Sequence, residues 1–137
     1  MVTRRIATAA LATILLAGLT FAETGTSVIL RPADRKGCVA ALERGLAAIG
    51  LTNIGQFQVE LPEAPGKRET LWRYTGAGNL SAYVLAPPAA QAIKLSIAEM
   101  NYGRRHLSKG AVETAHRLIE RIRPACGEIE FSDPAAW

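Results

Sequence analysis

Beyond residue 22 the chain divides into alternating and helically spaced stretches separated by turn residues. Residues 27–31, "SVILR", read as a strand or loose segment ended by Pro32. Asp34 is then a suitable helix N-cap, and Val39, Leu42, Leu46 and Ile49 recur at helical spacing before Gly50 at the C′ position. An amphipathic helix beginning at residue 35 is predicted, with Cys38 in its first turns.

The next part has a different period. Phe57, Val59 and Leu61 alternate with Gln56, Gln58 and Glu60, the pattern of a strand with one wet face. A turn-rich connection over 62–67 leads to "TLWRYT", with Trp72 and Tyr74 on one side. Gly76, Gly78 and Asn79 mark a further turn before "LSAYVLA". Short links between successive strands predict an antiparallel meander. Residues 89–101 fit two patterns: Ile93, Leu95 and Ile97 alternate as in a strand, whereas Ala90, Ile93, Ile97 and Met100 also suit a helix. The strand is preferred. Ala111, Ala115, Leu118 and Ile122, with Val112 and Ile119 beside them, predict a final helix capped by Ser108 and stopped by Pro124 just before Cys126. A short strand over 129–131 follows.

These elements make one α+β domain of two layers over residues 23–137. A meander sheet of three to four strands carries an N-terminal and a C-terminal helix on one face. The two cysteines, Cys38 and Cys126, stand far apart in sequence, and neither has a Cys or His neighbour at metal-ligand spacing. A disulfide between them would draw the start of the first helix to the end of the last and set the two helices side by side.

Residues 1–22 change the reading of location and of charge. Arg4 and Arg5, an uncharged apolar run over 6–19 and the small-residue exit at Ala22 form a secretory signal pattern. The apolar run is about 14 residues, short of the roughly 20 needed to cross a bilayer. Cleavage after Ala22 is expected, leaving no transmembrane segment and a chain that is exported to the periplasm or outside the cell, where disulfides persist. The net charge of +4 and the pI near 9.4 owe much to that segment. Without Arg4 and Arg5, 14 basic side chains face 12 acidic ones. That balance argues against nucleic acid as a partner.

Three constellations carry candidate chemistry. "NYGRRHLSKG" is the most basic segment, and Tyr102, Arg104, Arg105, His106 and Lys109 could hold an anionic ligand or partner surface. Trp72 and Tyr74, with Tyr83 on the neighbouring strand, form either a ligand platform or part of the core. Glu113, His116 and Glu120 lie along one flank of the last helix as potential metal ligands. The same residues also suit ion pairs, Glu113 with Arg117 and Glu120 with Arg123. The serines lack a nucleophile-elbow pattern, and Gly76–Gly78 is a hairpin turn with no helix N-terminus behind it. The expected function is that of a small, non-enzymatic binding or accessory domain without a cofactor, engaging an envelope protein or a small ligand. The alternative is a small hydrolase or metal-dependent enzyme using His116 and its neighbouring glutamates.

Overall fold

The computed structural model describes residues 23–60, 65–76, 78–88, 90–100 and 106–132. The signal-like segment therefore lies outside the described residues, as do Tyr102, Arg104 and Arg105. The elements in chain order are β1 (Glu23–Arg31), α1 (Arg35–Ala48), β2 (Thr52–Glu60), β3 (Arg68–Thr75), β4 (Leu80–Leu85), β5 (Ile93–Met100), α2 (Lys109–Cys126) and β6 (Glu128–Phe131). The fold is α+β, with a Cys38–Cys126 disulfide.

Among the described residues the sheet has six antiparallel strands in the order β2-β3-β4-β5-β1-β6, not three to four. The meander β2 to β5 is as the turns predict. The two additional positions come from the chain ends: β1 pairs along the whole of β5, and β6 pairs with β1. Residues 93–100 are a strand, as alternation favours. Glu23 and Gly25 have little strand propensity, yet β1 includes them because Met100 to Ile93 on β5 offers a continuous ladder.

Alternation gives the sheet two unlike faces. Val28, Leu30, Tyr74, Ala82, Val84, Ile93, Leu95 and Ile97 share one core with Leu42, Leu46, Leu118, Ile119 and Ile122 of the helices. Fully burying each large aliphatic residue here contributes about 1.5–3 kcal/mol relative to exposure. Cys38 meets Cys126, and Gly45 lies against Leu118 and Ile122, so α1 and α2 run antiparallel. A Cβ at Gly45 would come 2.8 Å from Leu118 Cδ1, so the glycine lets the Leu118 side chain of α2 pack directly on the α1 backbone.

The last helix continues through Pro124 to Cys126 instead of stopping before it. Pro124 forgoes one backbone bond in the final turn but does not break the rod. Termination falls to Gly127, whose φ of 66° is cheap only for glycine. At the other end Ser108 Oγ accepts from the Ala111 N–H and donates to Glu99 Oε2 at 2.6 Å, while the Ser108 N–H donates to Glu99 Oε1 at 2.7 Å. The carboxylate at the end of β5 thus fixes where α2 begins. Arg35 ties the start of α1 to the β4–β5 connection by donating to the carbonyls of Ala86 and Ala90.

Candidate functional site

The strand registers bring four side chains into one line across the sheet face opposite the helices. Arg73 stands opposite Tyr83, Tyr83 opposite Ser96, and Ser96 opposite Ser27. At the usual spacing of about 4.8 Å between strands, Arg73 and Ser96 are roughly 10 Å apart. The line is polar at every position and crosses β3, β4, β5 and β1. Leu71, Leu85, Lys94 and Ile29 flank it on one side, and Leu71 and Leu85 join Val59, Tyr83 and Ala98 in a second apolar cluster. Small residues, Gly25, Ser81 and Ala98, flank it on the other.

Two atoms in this line lack partners. Ser96 is 0% exposed and its Oγ makes no hydrogen bond; the Nε of Arg73 is likewise buried and unbonded. An unmade bond at a buried hydroxyl or guanidinium costs about 1–3 kcal/mol, more for a charged group. Native proteins leave few such atoms without a reason. Between them, the Arg73 guanidinium carbon lies 5.7 Å from the Tyr83 ring centroid, close enough for a cation–π contact. That contact orients the guanidinium without using its N–H donors. The line therefore offers a directed cation at one end, an aromatic body in the middle and hydroxyls at the other end. An occupant suited to it carries oxygen acceptors, with a negative group towards Arg73.

The residues singled out in the sequence distribute differently. Tyr74 is buried in the helix-side core, where burial first and the nearby Glu43 charge second raise its hydroxyl pKa, while a hydrogen bond from Asn53 lowers it. Trp72 lies on the same face but is 37% exposed, beyond the reach of the helices. Tyr83 points to the opposite face, because Trp72 pairs with Val84 and Tyr74 with Ala82. The three aromatics therefore form no single platform. His106 and Lys109 are exposed at the start of α2. Glu113, His116 and Glu120 are exposed along α2, and among the described residues no group of three His, Cys, Asp or Glu side chains could hold a metal ion. Glu120 accepts from Arg123 at 3.4 Å, as its spacing predicts, whereas Arg117 donates to Thr114 Oγ1 in place of Glu113.

Arg73, Ser96 and Ser27 escape a reading by motif because each belongs to a different strand. The only sequence signal is negative: Ser96 interrupts the apolar stretch of β5, and Arg73 stands between two aromatics. No protein-family model and no curated protein matches the chain.

Proposed function

We propose that this chain is an exported, non-enzymatic binding or accessory domain that engages an envelope protein or small ligand bearing an oxyanion. Its contact region is the Arg73–Tyr83–Ser96–Ser27 line on the sheet face opposite the helices; Tyr83, Ser96 and Ser27 are buried there, so binding requires that face to be uncovered. The observation that carries this reading is the pair of buried, unpartnered polar atoms, Arg73 Nε and Ser96 Oγ, in one line with Tyr83. A buried donor without an acceptor costs stability, and an occupant with well-placed oxygens recovers it. Export is supported by the disulfide and by the signal pattern of residues 1–22. Among the described residues no helix is long and apolar enough to cross a membrane.

The reading is tested by calorimetric titration of the exported protein with dicarboxylates, inorganic phosphate and short acidic peptides. The expected result is saturable binding of at least one probe, weakened about tenfold or more by Arg73→Ala, since a charge-assisted bond contributes about 1.5–3 kcal/mol. Binding that is indifferent to Arg73→Ala, or that is lost on His116→Ala, would overturn it.

A further inference from the structure

The sheet has two edges, and only one is protected. The β6 edge is four residues long, carries Glu128 and Glu130, and is fastened by an Arg31–Glu130 ion pair of 2.6 Å. Short length and charge are common protections against pairing with another chain. The β2 edge is nine residues long, "TNIGQFQVE", with no proline, no lysine or arginine, and a single charge at its end, Glu60. Residues 52–54 and 56–58 are exposed, including Ile54 at 55% and Phe57 at 47%. A bulge between Asn53 and Gly55 separates the start of the strand from a regular run over 55–60.

We propose that β2 pairs with β2 of a second copy of this chain, antiparallel and about a two-fold axis through Phe57. The regular run is self-complementary in that register. Phe57 meets Phe57 of the second copy on the face opposite the helices. Val59 lies over Gly55 of the second copy, where a Cβ would have nothing within 4 Å. On the helix side Gln56 meets Gln58 of the second copy; Gln58 Nε2 donates to Thr70 Oγ1 of its own chain at 3.0 Å, and its amide oxygen is placed to accept from Gln56. Offset or edge-to-face aromatic pairs and cross-strand contacts of this kind stabilise a ladder beyond its backbone bonds. The bulged residue Ile54 falls outside the paired run.

Charge selects the same arrangement. In this register each Glu60 lies three residues from the axis, just beyond the paired run 55–59, so the two Glu60 side chains are separated by about 20 Å at 3.4 Å per residue. That distance exceeds the roughly 8 Å screening length of physiological salt. A parallel pairing would bring the two acids together. The two-fold axis also leaves both helix layers on one side, and the two Arg73–Ser96 lines on the other, in a continuous sheet of twelve strands.

Sedimentation equilibrium of the exported protein and two double variants tests this. Gln56→Lys with Gln58→Lys sets lysine against lysine across the axis, whereas Gln56→Lys with Gln58→Glu sets lysine against glutamate. The wild type is expected to dimerise below about 0.5 mM, the Lys/Lys protein to weaken by at least tenfold, and the Lys/Glu protein to remain dimeric. Both substituted positions are on an exposed edge, and intact disulfide and circular dichroism spectra check that each variant folds. A wild type that stays monomeric overturns the proposal. So does a Lys/Lys protein that dimerises undiminished, or a Lys/Glu protein that does not dimerise.

Discussion

Replacing both Cys38 and Cys126 by alanine should cost this domain a large share of its stability, and the amount follows from the loop they close. The bond links residues 88 positions apart and joins the start of α1 to the end of α2. In the chain-entropy treatment a loop of that length restricts the unfolded chain by about 4.6 kcal/mol, while measured losses cluster at about 2–4 kcal/mol. Both cysteines are fully buried, so the lost sulfurs add to the cost through the small void they leave. At about 2.1 cal/mol/K per residue, the unfolding entropy of this domain is near 0.24 kcal/mol/K, and a loss of 2–4.6 kcal/mol lowers Tm by roughly 8–20 °C. Differential scanning calorimetry of the wild-type protein and the double variant measures this directly. The same drop should appear when the wild type is scanned with a thiol reductant. A loss below about 1 kcal/mol, or a drop of less than about 4 °C, would refute the idea that the bond constrains the unfolded chain across the two helix ends.

Other positions give smaller and more local outcomes. Gly45→Ala should destabilise by about 1–2 kcal/mol despite its better helix propensity, because its Cβ meets Leu118 and Ile122; Gly110→Ala, in open space on α2, should instead stabilise by about 0.5–1 kcal/mol. Urea titration separates the two signs. Ser108→Ala removes both the cap to Ala111 and the bond to Glu99, and should cost about 1–2 kcal/mol in the same assay. Tyr74 has a raised pKa in the folded state, from burial first and Glu43 second, so the folded protein holds that proton more tightly than the unfolded chain. Its contribution is full below pH about 10 and is lost as pH climbs through the folded value. Stability measured from pH 9 upward should fall less steeply in Tyr74→Phe.

Much of the architecture is legible in the residues because local spacing and burial agree. The apolar positions Ala111, Ala115, Leu118 and Ile122 that predict α2 are all buried, and Asp34 and Ser108 occupy the N-cap positions. The alternation of Ile93, Leu95 and Ile97 resolves the ambiguous segment as β5 because these side chains face the helices. Long-range pairing is not encoded locally. Nothing in "SVILR" reveals that β1 completes the sheet beside β5, and nothing in "EIEF" reveals its pairing with β1. Pro124 misleads because a proline near the end of a helix removes one bond without ending it. The candidate site is the least legible part. Arg73, Tyr83, Ser96 and Ser27 become neighbours only through three registers, and a slip of one residue in any of them would send a side chain to the other face.

Ser96 offers the sharpest test of the proposed binding face, because its effect on stability and its use should oppose each other. With Oγ buried and unbonded, Ser96→Ala removes an unsatisfied hydroxyl, and the free protein should gain about 1 kcal/mol, or roughly 4 °C in Tm. Thermal unfolding is followed with and without the tightest oxyanion probe from the titrations. The expected outcome is a higher Tm without the probe and a smaller probe-induced rise than in the wild type. A lower Tm without the probe, together with an undiminished rise on adding it, would contradict a binding role for the Arg73–Tyr83–Ser96 line.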